Sequence, residues 1–173
     1  YSSPSSNYLN KMIKIKDKKD CSGCCACEGI CAKHCIKMLP DAEGFLYPHI
    51  DADTCVNCGL CELVCPILNV PKDNQVQLVV GAKHKDENVR SSSSSGGIFS
   101  LVAEYILAEG GVIVGCVMNK DLEAVHAIAE NKDQLLAMRS SKYVQSNTIG
   151  IYAKVRQILR AGRKVLFSGT PCQ

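Results

Sequence analysis

The spacing C-x2-C-x2-C-x3-C occurs twice within residues 21–66, first as Cys21, Cys24, Cys27 and Cys31, then as Cys55, Cys58, Cys61 and Cys65. Three thiolates two residues apart wrap a short loop around one object and meet it at different points, while the fourth ligand comes from elsewhere. Soft thiolates of this kind select iron–sulfur clusters, and they also select zinc, which takes four ligands in tetrahedral geometry. Zinc sites ordinarily use paired C-x2-C units. A triplet with a trailing cysteine, used twice, leaves each zinc one ligand too many or badly placed, and a disulfide framework fits these spacings less well still.

The same pattern resembles that of bacterial two-cluster ferredoxins, in which the fourth cysteine of each run ligates the other cluster. That resemblance implies one [4Fe–4S] cluster on Cys21, Cys24, Cys27 and Cys65, and a second on Cys55, Cys58, Cys61 and Cys31. The copies are not identical. Pro66 follows Cys65 as the ferredoxin pattern expects, but Ala32 follows Cys31, and Cys25 and Cys35 are additional. Either extra thiol can serve as an alternative ligand in another register, or simply pack as a small hydrophobe, which is the reading preferred for both.

At 173 residues and 46% hydrophobic, the chain has room for a small cluster domain and one larger α/β unit. Twelve cysteines without a signal-like apolar segment indicate a reducing compartment, so the cytoplasm is expected, and no apolar run is long enough to span a membrane. The net charge of +3 is unevenly spread. Residues 1–19 carry five lysines against Asp17, residues 20–70 carry two lysines against seven acids, and residues 71–173 carry thirteen basic groups against nine acids. The acidic middle segment is either a surface that steers basic redox partners or a solvated polar face. Five lysines near the N-terminus do not make a nucleic-acid site, and none is expected.

In chain order, residues 1–19 read as a flexible basic lead-in, residues 20–70 as the cluster domain and residues 71–76 as a linker. Residues 77–173 read as an α/β domain truncated at its C-terminus, because the chain stops at Cys172-Gln173, where a strand meets a turn. Gly44-Phe45-Leu46-Tyr47-Pro48 suggests a short strand whose Phe45, Leu46 and Tyr47 exclude water from a cluster. Residues 76–83 suggest a buried strand through Leu78, Val79 and Val80, and residues 85–90 a charged loop. Ile98, Leu101, Val102, Tyr105 and Ile106 recur with helical period, and Gly110-Gly111 ends that helix. Strands are expected over 112–117, 124–129 and 165–167, with helices over 133–138 and from Ile151 through Val155, Ile158 and Leu159. Strands alternating with helices imply a central sheet. The fold expected for the whole chain is therefore an α+β ferredoxin-like two-cluster domain followed by a truncated α/β domain.

Three polar segments of the second half carry chemical potential. Residues 91–97 are five serines and two glycines before a helix, where free N–H groups and the helix dipole favour an anion, although such a loop also serves simply as a helix cap. Residues 139–146 are dense in donors between two helices. Ser168-Gly169-Thr170-Pro171-Cys172-Gln173 sits at the carboxyl end of a strand, where open α/β sheets place ligands. Cys172 there is a reactive thiol, a metal ligand or a packed residue, and the role of Cys116 is equally open. His34, His49, His84 and His126 show no ligand spacing and read as surface or core.

As an ordered set, these features resemble the family of coenzyme F-420 hydrogenase and dehydrogenase beta subunits: the cysteine segment, EGFLYPHID, GAKHKDENVRSSSSSGGIFSLVAEYIL, MRSSKYVQS and VLFSGTPCQ. The resemblance covers residues 20–173. It implies an iron–sulfur flavoprotein in which two [4Fe–4S] clusters exchange electrons with FAD, and the flavin exchanges hydride with coenzyme F-420 or, in relatives, another acceptor. It further implies flavin contacts at Ser94, Ser95, Gly96 and Gly97, at Lys142, Tyr143 and Gln145, and at Ser168, Thr170 and Pro171. A redox partner protein or subunit is expected, with a deazaflavin or another small-molecule acceptor, while no catalytic residue is named. A ferredoxin-type electron carrier and a zinc-bound interaction module are the competing functions.

Overall fold

The computed structural model describes residues 12–70 and 78–173. The chain divides into two compact units, Tyr1–Asp73 together with Pro171–Gln173, and Asn74–Thr170.

In the first unit, the two cysteine runs trace the same backbone course. Gly23 and Asn57 are left-handed, with φ of 62° and 52°, and the residue after each second cysteine is left-handed again, Cys25 at 61° and Gly59 at 71°. Each of these last residues caps a short helix, α1 (Ala26–Ile30) and α2 (Leu60–Leu63), which carries the third cysteine of its run inward. Between the runs, β1 (Ile36–Pro40) and β2 (Leu46–Ile50) form an antiparallel hairpin in register Ile36 to Ile50. The Asp41 carboxylate closes the turn by accepting from the backbone N–H of Glu43 and Phe45. Lys18 pairs with Asp41 at 2.6 Å and lies 4.2 Å over the Tyr47 ring.

Two features differ from expectation here. Phe45 is exposed rather than water-excluding, because it belongs to the turn, and the strand starts one residue later. The described part of the lead-in packs against the unit: Ile13 is buried, and Lys18–Asp20 is a single helical turn capped by Asp17. The expected linker 71–76 lies outside the described residues.

The second unit contains α3 (Glu87–Ser91), α4 (Ile98–Ala108), β3 (Val112–Met118), β4 (Ala124–Ala129), α5 (Lys132–Leu136), α6 (Ile151–Arg160) and β5 (Val165–Phe167). Its sheet runs β4-β3-β5, with β3 antiparallel to β4 and parallel to β5. The central strand is the apolar run expected there, and Val112, Ile113 and Val114 are fully buried. Ile113 clusters with Ala103, Ala129, Leu135 and Met138. At Gly111 a Cβ would sit 2.8 Å from the Lys164 carbonyl oxygen, so the turn from α4 into β3 requires glycine.

The face α4 turns inward is not the one its period suggests. Phe99, Ala103, Ile106 and Leu107 pack on the core, with Ser100 buried beside them, whereas Leu101, Val102 and Tyr105 are exposed. The helix is apolar nearly all round, and its small Ser100 and Ala103 permit the closer approach to the sheet. Residues 78–83 are not a strand, and Leu78, Val79 and Val80 are exposed, since no neighbouring strand pairs with them among the described residues; Val76 and Gln77 lie outside those residues. Residues 87–91 form α3 rather than a loop because Asp86 caps it by accepting from Asn88 N–H at 2.8 Å.

Candidate functional site

The eight cysteines sort into two cavities. The first is lined by Cys21, Cys24, Cys27 and Cys65, together with Cys25, and is walled by Ile13, Ile15, Met38, Pro48 and Ile67. The second, of about 200 Å³, is lined by Cys31, Cys55, Cys58 and Cys61, together with Cys35, and is walled by Met12, Ile36, Ile50, Val56 and Leu60. Each therefore takes three thiols from one run and the trailing thiol of the other. The hairpin and the entry to the second run make this exchange possible. Asp51 accepts from the N–H groups of Asp53 and Thr54 and from the Thr54 hydroxyl, and its carbonyl accepts from Cys55 N–H at 3.1 Å.

The donor set fits an iron–sulfur cluster. Each cavity has four thiols from the two runs and one additional thiol in its lining, and the remaining lining is largely apolar. Burial pushes the Cys27 thiol up to about 12 and raises those of Cys21 and Cys61, the last opposed by a hydrogen bond from the Ile13 backbone. Metal must displace these protons, because the thiolate is the ligand. Ile13 and Ile15 thus wall the first cavity and Met12 the second, a contribution that their short apolar alternation signalled without showing what it covers.

In the second unit, the three polar segments are joined by hydrogen bonds. Arg139 donates to Ser92 Oγ at 3.2 Å, and Ser141 N–H donates to Ser94 Oγ at 2.9 Å, which ties the serine loop to residues 139–141. His126 makes the second junction. Its Nε2 donates to the Ser168 carbonyl at 3.0 Å, its Nδ1 accepts from the Ser146 hydroxyl at 2.8 Å, and its ring stacks on Phe167. Burial holds this imidazole below the usual histidine value, so it is neutral, consistent with one nitrogen donating and the other accepting. Sequence reading placed His126 only as surface or core; a lone histidine in an alternating strand carries no spacing signal.

The other expected contacts are less gathered. Lys142 donates to the carbonyls of Ala137 and Arg139, and burial lowers its pKa, opposed by the nearby Cys116 thiol. Tyr143 projects into solvent. Gly97 caps α4 with a φ of 74°, and a Cβ on Gly96 would meet the Ala82 carbonyl oxygen at 2.7 Å, so these glycines let the 82–84 segment pass close by. Ser95, Gln145, Ser168 and Thr170 are exposed, and Pro171 groups with the cysteine unit. Arg139, which donates to Ser92 and pairs with Glu104 at 3.7 Å, is a basic residue beside the serines that the expected contact set omitted; its Nε is buried without a hydrogen-bond partner among the described residues.

Comparison with known proteins agrees with this division. Residues 20–68 match the 4Fe-4S dicluster domain family, and residues 79–152 match the N-terminal part of the coenzyme F420 hydrogenase/dehydrogenase beta subunits. The first part of the chain is thus similar to dicluster ferredoxins, and the second to the coenzyme F420 hydrogenase/dehydrogenase beta subunits. It is 24% identical to a subunit of the F(420)H(2) dehydrogenase of Methanosarcina mazei, over 94% of this chain and 49% of that one. A protein of Methanocaldococcus jannaschii without a described activity is also 24% identical, over 96% of this chain and 54% of its own length. An uncharacterised ferredoxin of Methanocaldococcus jannaschii is 35% identical over 43% of this chain and 88% of its own. The chain thus spans about half the length of the two longer relatives. What the matches share is a 4Fe-4S dicluster segment and likeness to a dehydrogenase subunit. Among the described residues, no helix is long and apolar enough to cross a membrane.

Proposed function

We propose that this chain passes electrons between two [4Fe–4S] clusters and FAD, as the electron inlet of a cytoplasmic flavoprotein that exchanges hydride with coenzyme F-420 or a related acceptor. The observation that carries the reading is the sorting of the cysteines. Cys21, Cys24, Cys27 and Cys65 would hold one cluster, and Cys55, Cys58, Cys61 and Cys31 the other. Apolar walls, formed by Ile13, Ile15 and Met38 on one side and by Ile36, Ile50 and Leu60 on the other, line the cavities, and burial of a cluster tunes its potential.

When bound, FAD supplies the interconversion of single electrons and a hydride. The chain's part is to hold it. The serine loop before α4 offers hydroxyls and a helix N-terminus to a phosphate, Arg139 and Lys142 supply positive charge beside that loop, and His126 fixes the Ser168 carbonyl and thereby the Ser168–Thr170 turn. Ser95, Gly96, Gly97, Tyr143, Gln145 and Pro171 complete the proposed contact set. A redox partner protein or subunit delivers or receives the electrons. The likeness to a free-standing ferredoxin supports a second reading, an electron carrier without its own catalysis.

Anaerobic purification followed by iron, acid-labile sulfide and flavin assays tests both. About eight irons per chain with bound FAD is the expected result. Iron without flavin leaves the carrier, and zinc in place of iron removes both readings.

A further inference from the structure

The second cavity holds one more thiol than a cluster needs. Cys31 closes α1, and the chain turns back through His34, whose φ is 51°, to bring Cys35 beside it immediately before β1. The two sulfurs stand 3.3 Å apart. Cys35 is only 6% exposed, lines the same cavity as Cys31, Cys55, Cys58 and Cys61, and interacts with the Cys55 side chain as well. Its carbonyl accepts from Asp51 N–H at 2.8 Å, which ties its backbone to the entry of the second cysteine run. Cys25, the extra thiol of the first cavity, is placed differently, with its sulfur directed to the Gly23 carbonyl at 3.4 Å.

We infer that Cys35 is a reserve ligand of the second cluster, interchangeable with Cys31. The inference rests on the two-cluster reading above. Exchange breaks the bond from iron to the Cys31 sulfur and forms one to the Cys35 sulfur. The proton leaving the Cys35 thiol passes to Cys31, so the charge of the site and its electron count are unchanged. At 3.3 Å the transfer needs no large movement of the backbone. The site therefore tolerates loss of Cys31, whereas loss of Cys55, Cys58 or Cys61 empties it.

The test uses the chain loaded anaerobically with iron and sulfide, with iron and labile sulfide per chain as the readout. Wild-type protein with about eight irons establishes the two-cluster reading; a lower content overturns that reading before the variants are considered. Cys31→Ala is expected to keep about eight irons, Cys31→Ala/Cys35→Ala about four, and Cys61→Ala about four. The inference is overturned if Cys31→Ala holds no more iron than the double variant, or is insoluble while Cys61→Ala is soluble. Should neither single variant fold, iron release to a chelator is compared in wild type and Cys35→Ala. Release from the second site several-fold faster in Cys35→Ala supports the reserve ligand, and equal rates overturn it.

Discussion

The two units secure their folds by different means. The cysteine unit has helices of five and four residues and a two-stranded hairpin, elements that are marginal in water by themselves. Much of its buried apolar surface surrounds the cavities, so what the thiols hold is also what the unit packs around. The second unit has an aliphatic core built on Ile113, Leu135 and Met138, with α4 and α5 covering the sheet. On the two-cluster reading, ligand and fold are inseparable in the first unit and separable in the second.

Removing iron should break this contrast most severely if it is wrong. Chelation is expected to abolish amide-exchange protection in the β1–β2 hairpin and leave β3 protected, because ligand-binding energy is folding energy only in the first unit. Equal loss in both strands would contradict it. Next in size, Ile113→Ala should destabilise the second unit by about 2–5 kcal/mol in thermal or denaturant unfolding, with iron content unchanged.

His126→Gln should cost less, about 1–3 kcal/mol at neutral pH, by removing the hydrogen bond to the buried Ser146 hydroxyl. Its pH dependence sharpens the assignment. The folded-state value lies below the usual 6.5, so the unfolded chain binds more protons in acid. The wild-type advantage over the variant is therefore full above about pH 6.5 and declines as pH falls below it. Urea titrations at about pH 5 and about pH 7.5, on either side of that value, measure the difference. Smallest of all, Cys25→Gly should change stability by no more than about 1 kcal/mol, since relief of a left-handed non-glycine residue offsets the lost thiol contact with Gly23. Gly59 already occupies the matching position of the other run.

The features legible in the sequence were those fixed by local spacing. The cysteine runs, the apolar strand at 112–117 and the Gly111 turn all follow from a few neighbouring residues. The inward face of α4 was not legible, because a helix apolar on nearly every side leaves its orientation to packing, and Ser100 and Ala103 decided it. Leu78, Val79 and Val80 have strand composition, but a strand needs a partner that composition does not supply. β1 escaped notice because Lys37 and Pro40 interrupt its apolar residues, and its pairing with Leu46–Ile50 is a tertiary matter. The His126 junction unites residues twenty and forty-two positions away, beyond the reach of any local pattern.

Pairwise loss of cysteines tests most directly whether the two runs exchange their trailing ligands. Cys65→Ala is expected to leave about four irons. Adding Cys21→Ala should remove no more, because both belong to one site, whereas adding Cys55→Ala should remove the rest. If Cys65→Ala/Cys55→Ala instead keeps about four irons and Cys65→Ala/Cys21→Ala keeps none, each run serves its own cluster and the account is wrong.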